Sequence, residues 1–154
     1  MLRISKLTDY GTVVLAQLAN SPGSVASAAD VAAATGIAVP TVSKLLKALA
    51  KAELVSSTRG SHGGYSLSRS AEDISAADVI DALEGPVSIT ECSSSESHCD
   101  FESSCRVGGA WQRINLAIRL ALDDISLADL LKANDLQPRF SFGGASISIE
   151  TRNN

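Results

Sequence analysis

Three cysteines, Cys92, Cys99 and Cys105, fall inside a 14-residue window of a 154-residue chain that has no others. Six residues separate the first pair and five the second. The interval holds six serines together with Glu96, His98, Asp100, Phe101 and Glu102. Nothing there could bury three thiols as a core, and freely exposed thiols are an oxidation liability. Structural zinc sites commonly pair cysteines about two to four residues apart, which this loop does not do. Wide gaps let a loop wrap a multi-iron cluster held by thiolates, so an iron–sulfur cluster is the first reading. Zinc binding and thiol redox sensing are the alternatives. An odd cysteine count is a poor disulfide framework and fits a reducing compartment.

Those thiols need elements to position them, and the composition allows for them. Hydrophobic residues make up 45% of the chain, enough for the core of one domain with or without a helical appendage. No run of about 18 apolar residues occurs, so no membrane span is expected. The start is charged and lacks the apolar stretch of a secretory signal, so a cytoplasmic protein is expected. The net charge of −4 argues at first against nucleic acid. The average conceals a split. Residues 1–70 carry seven basic and three acidic residues, whereas residues 71–154 carry six basic and fourteen acidic ones. Such asymmetry is more informative than the total.

The basic part reads as a winged helix-turn-helix. Thr8 is expected to cap a first helix carrying Tyr10, Val13, Val14 and Leu18, ended by Ser21-Pro22-Gly23. A short helix follows from Ala28 to Thr35, stopped by Gly36. A third runs from about Val39 to Ala52, with Pro40 in its first turn and Val42, Leu45, Leu46 and Leu49 as its apolar stripe. Thr41, Ser43, Lys44, Lys47 and Lys51 occupy the rest of its surface. Two helices joined by a glycine-containing turn, the second basic outside, form a helix-turn-helix. The runs Leu54–Arg59 and Tyr65–Arg69 flank Gly60-Ser61-His62-Gly63-Gly64 and read as a β-hairpin, the wing. The fold class expected is mainly α with this small hairpin, plus a long dimerisation helix.

The acidic part reads as a sensing and dimerisation unit. Ser75 caps a helix over residues 74–84 ended by Gly85-Pro86, and a loop of some twenty residues then carries the cysteines. From Gly108–Trp111 to about Asp124 a long helix places Trp111, Ile114, Ile118, Ala121 and Ile125 on one seam, with Leu116, Leu120 and Leu127 on a second face. Two apolar faces call for two partners, its own domain and a second subunit; the alternative is burial in a single core. Ser126 caps a last short helix. The expected units are 1–70, 71–132 and a mobile tail at 133–154.

These residues resemble a known family. Leu7-Thr8-Asp9-Tyr10-Gly11, Gly36-Ile37 with Lys44-Leu45-Leu46, Leu54–Gly60 with Gly63-Gly64-Tyr65, and three cysteines before Trp111 are similar to the Rrf-type bacterial winged-helix regulators. Thr90-Glu91-Cys92 and Trp111-Gln112-Arg113-Ile114-Asn115 look most like the branch that regulates the SUF iron–sulfur assembly system. The resemblance covers roughly residues 1–132. It implies a homodimer on a palindromic operator, acting according to the state of an iron–sulfur cluster and repressing cluster-assembly genes. A 2Fe–2S cluster is preferred to 4Fe–4S, with Cys92, Cys99 and Cys105 as ligands. In IscR-like members a histidine three residues after the last cysteine completes the site, and here that position is Gly108. In NsrR-like members an N-terminal aspartate from the other subunit does so, and the matching residue is Asp9. That residue is equally a carboxylate suited to the first turn of a helix. His98 is the rival ligand, and an exogenous thiol or water is a third.

On DNA, Thr41, Ser43 and Lys44 are expected near base edges and Lys47 and Lys51 near phosphates. Arg59, His62 and Gly63 belong to a wing in the minor groove, where arginine senses groove width. Neither His62 nor His98 sits in a nucleophile or acid–base arrangement, and no phosphate-binding glycine loop appears. No enzyme activity is expected. A zinc- or thiol-redox-dependent DNA-binding repressor without a cluster is the alternative function.

Overall fold

A computed structural model of the chain describes residues 4–60, 63–93, 99, 105–132, 140–142 and 145–147. Six helices and two hairpins are formed by these residues. Helix α1 (Lys6–Ala19) is capped by Ser5, whose hydroxyl accepts the Leu7 N–H at 3.2 Å. The expected cap, Thr8, lies one turn further in and is buried. Its hydroxyl is engaged by Glu84, a residue distant in sequence, which leaves the capping role to Ser5.

Helix α2 (Ala28–Thr35) starts in a reciprocal box between Ser27 and Asp30 and ends at Gly36, held at φ 73°. That left-handed turn favours glycine and lets its N–H close onto the Ala32 carbonyl. The chain then bends by 118° into α3 (Val39–Lys51), within the range of helix-turn-helix motifs. Val42, Leu45, Leu46 and Leu49 are fully buried, as the spacing of the stripe predicts. Strands β1 (Val55–Thr58) and β2 (Gly64–Leu67) pair antiparallel, with Val55 opposite Leu67 and Thr58 opposite Gly64. Tyr65 exchanges backbone bonds with Ala26 at 3.0 and 2.8 Å and packs against the core, so it anchors the wing to the body.

Helix α4 (Ala76–Glu84) and helix α6 (Leu127–Leu131) each begin in a serine–aspartate box, Ser75 with Asp78 and Ser126 with Asp129. Their starts are joined: the Leu127 N–H donates to the Ile74 carbonyl at 2.7 Å and the Ala76 N–H to that of Ile125 at 2.8 Å. Ile74, Val79 and Leu127 therefore share one core with Val14, Leu15, Val31 and the α3 stripe. Between α4 and α6 runs α5 (Gly108–Asp123), none of whose residues is buried in the single chain. Burial of this helix in one core is thereby excluded. Strands β3 (Phe140–Phe142) and β4 (Ala145–Ile147) form a second antiparallel pair near the C-terminus. No single helix among the described residues is long and apolar enough to cross a membrane.

Candidate thiol loop and nucleic-acid interface

The thiol loop leaves α4 at Gly85 and returns to the chain's body at α5. Cys92 sits in a single 3-10 turn, Glu91–Ser93, and is half-buried. The Thr90 hydroxyl lies 3.3 Å from its sulfur and 2.7 Å from the Ser93 hydroxyl. Cys99 is half-buried and Cys105 exposed, and all three thiols are free of disulfides. Cys105 stands three residues before the start of α5, and a β-carbon built on Gly108 would stand 3.6 Å from its sulfur. His98 lies outside the described residues. Among the described residues, no three His, Cys, Asp or Glu side chains are gathered closely enough to hold a metal ion. Asp9 is exposed in the first turn of α1, in a cleft with Ile4, Thr12, Val13, Ile80 and Ile125, and is not grouped with the cysteines of its own chain. As a donor set, three free thiols suit iron–sulfur ligation; their assembly about one centre is not formed by the described residues.

The sequence reading missed how α5 meets the loop. Its inward face is polar, with Asn115 bonded to Val87 and Ile89 and Gln112 bonded to the Cys92 carbonyl. Arg119 pairs with Asp81 of α4 at 2.7 Å and with Asp123 at 3.3 Å. Burial opposes the Arg119 charge, but the two carboxylates more than offset this and hold its pKa above the ordinary value. The available signal was the polar row Gln112, Asn115 and Arg119, spaced three and four apart along one face of the helix. The outer face is apolar and open. Trp111, Ile114, Leu116 and Leu120 are exposed, and Ile114, Ile118, Ala121 and Ile125 line a groove of about 760 Å³.

Helix α3 presents Lys44, Lys47 and Lys51 to solvent, while Thr41 and Ser43 are half-buried beside them. Val39 and Pro40 at its start are also exposed, and the sequence reading passed over Val39 as a contact. An apolar side chain there suits a thymine methyl group. Arg59 is exposed at the end of β1. The turn beyond it is closed by the Gly63 N–H on the Gly60 carbonyl at 3.0 Å, with Gly60 at φ 116°. A β-carbon at Gly63 would come within 2.3 Å of the Thr58 carbonyl oxygen, so this turn is built for glycine. His62 lies outside the described residues.

The chain is similar in sequence and fold to known proteins. A family model for Rrf2, an iron-dependent transcriptional regulator, matches residues 4–133. The protein Rrf2 of Nitratidesulfovibrio vulgaris is 33% identical over 139 residues, covering 90% of this chain and 93% of its own. The structure of CymR, the global cysteine regulator of B. subtilis, is 32% identical with a TM-score of 0.66, over 88% of this chain and all of that one. IscR of T. potens is 32% identical with a TM-score of 0.63, over 87% of this chain and 89% of its own.

Proposed function

The chain belongs to the Rrf2 family of transcriptional regulators, and from that premise we propose that it senses an iron–sulfur cluster and binds palindromic operator DNA as a homodimer. The observation that carries this reading is the placement of two cysteines against one helix: the Cys92 carbonyl accepts from Gln112 of α5, and Cys105 stands three residues before that helix begins. Cys92, Cys99 and Cys105 supply three thiolates, and Asp9 of the partner subunit supplies the fourth ligand. A 2Fe–2S cluster is preferred. When bound, such a group supplies a change in charge and ligation with redox state or cluster loss. The residues of α5 would carry that change to the apolar face through which two copies pair, and so to the two DNA-reading heads. Lys44, Lys47 and Arg59 engage the operator, with Thr41, Ser43 and Gly63 beside them. Genes of cluster assembly are the proposed targets of repression.

Colour tests the reading. Anaerobically purified protein is expected to absorb visible light and to contain iron and sulfide. Colourless protein with stoichiometric zinc would sink it.

The similarity to a cysteine regulator, together with the exposed Cys105 thiol, favours a second reading. In it the cysteines hold zinc or undergo thiol oxidation and no cluster forms. Oxidation of metal-free protein that alters operator affinity, with no iron taken up under reconstitution, would establish it.

A further inference from the structure

A short run of backbone, Val87 to Cys92, enters the thiol loop and is held from both sides. The Val87 N–H donates to Asp81 Oδ1 of α4 at 3.3 Å. Asn115 of α5 takes the next two groups: its Nδ2 donates to the Val87 carbonyl and its Oδ1 accepts the Ile89 N–H, each at 3.1 Å. One turn earlier on α5, Gln112 Nε2 donates to the carbonyl of Cys92 itself at 3.2 Å. Just past the run, the Ser93 N–H closes back onto the Thr90 carbonyl at 2.9 Å.

An asparagine that gives both its donor and its acceptor to one three-residue segment stands in for a neighbouring strand. Loop backbone at a protein surface ordinarily bonds to water, so ordering it this way costs conformational entropy. A merely solubilising residue on an exposed helix would not spend both amide atoms on the same segment. We infer that Asn115, assisted by Gln112, is a positioning residue for Cys92, fixing the backbone of this thiol on α5 in the metal-free protein. Cys92 is then the pre-placed ligand, and a cluster that binds it is tied to α5 through Gln112 as well as through Cys105. The metal-binding part of this inference rests on the cluster-sensing reading above; the backbone clamp does not.

The test uses full-length protein. In metal-free samples, each cysteine's alkylation rate by iodoacetamide is followed by mass spectrometry. Asn115→Ala is expected to raise the rate at half-buried Cys92 several-fold while Cys99 and Cys105 keep theirs. Asn115→Asp, which retains an acceptor for Ile89 but loses the donor to Val87, should give an intermediate rise. After anaerobic reconstitution with iron and sulfide, Asn115→Ala should lower resistance of the visible chromophore to a chelator by about tenfold, as outer-shell losses commonly do. An unchanged Cys92 rate, or an equal rise at all three cysteines, would overturn the inference. Should Asn115→Ala fail to keep its helical circular dichroism, Gln112→Ala, at an exposed side chain, decides the matter by the same selective readout. If wild-type protein takes up no cluster, the sensing reading falls, while the alkylation rates still decide the clamp.

Discussion

The Thr8 hydroxyl donates to Glu84 Oε1, and the Ser5 N–H donates to the same oxygen at 3.0 Å. These bonds fasten the first turn of α1, where Asp9 stands, to the last residue of α4, immediately before the thiol loop opens at Gly85-Pro86. The start of α1 and the start of the thiol loop are therefore one structural point.

That point has a pH signature. The Thr8 hydroxyl first, and the Ser5 backbone N–H second, hold the Glu84 carboxyl below its ordinary value. A carboxylate depressed in the folded state contributes stability above its unfolded pKa and loses it as pH falls through the folded value. Thr8→Val removes the larger donor while keeping shape. A hydrogen bond to a charged group contributes about 1.5–3 kcal/mol, and solvent exposure of Glu84 discounts this to about 1 kcal/mol or less. At neutral pH the variant should melt roughly 2–4 °C lower per kcal/mol lost. The two melting curves should converge in acid. A gap that stays constant below the carboxylate range would show that Glu84 is not its source.

The exposed lysines of α3 predict a salt dependence. Lys47→Ala and Lys51→Ala should each lower the slope of log affinity against log salt by about one, the effect of losing one phosphate contact. Arg59→Ala should weaken operator binding through the wing. Unaltered affinity would remove that arginine from the groove.

Gly63→Ala tests the wing without touching its charges. The added methyl meets the Thr58 carbonyl oxygen and the Arg59 and Gly60 backbone, none of which is a side-chain end that can swing away. The turn must open. Operator affinity is expected to fall while the helical circular dichroism, which comes from α1 to α6, stays at the wild-type level. Full affinity in this variant would show that the tip conformation does not matter to binding.

Much of this architecture was legible in the sequence because it depends on local periodicity. The α3 stripe is buried because a 3.6-residue period puts Val42, Leu45, Leu46 and Leu49 on one side. Ser75 and Ser126 cap their helices because an aspartate three residues on completes each box. Thr8 was misjudged as a cap for the opposite reason: its partner, Glu84, is 76 positions away and no local pattern announces it. The inner face of α5 was misjudged in a similar way. Leu116 and Leu120 looked like packing residues, yet the loop's backbone polar groups required Asn115 and Gln112, which left those leucines exposed. The thiol loop was legible as chemistry but not as geometry, because spacing reports which donors are available and not where they converge.

The open apolar face of α5 predicts assembly. Ile114→Glu places a charge in the middle of the groove lined by Ile118, Ala121 and Ile125. Because Ile114 is exposed in the single chain, the variant should keep its fold and Tm of the isolated subunit while losing the dimer. Sedimentation at micromolar concentration reads the outcome. A variant that still sediments as a dimer would move the pairing surface off α5.

The fourth ligand can be tested by removal and replacement together. Asp9→Ala should alter the visible spectrum of the reconstituted protein without changing its oligomeric state, since Asp9 is exposed and no ion pair holds it among the described residues. Gly108 offers the replacement. It opens α5 in ordinary backbone geometry, and a β-carbon there would stand 3.6 Å from the Cys105 sulfur in normal van der Waals contact. A histidine at this position can therefore bring a ring nitrogen beside that thiolate, and it is a better helix former than glycine. Gly108→His in the Asp9→Ala background should restore a stable cluster with a spectrum shifted by nitrogen in place of carboxylate ligation. If Asp9→Ala alone leaves the spectrum untouched, the ligand is His98 or an outside molecule. In that case Gly108→His should compete with it and shift the spectrum of otherwise wild-type protein.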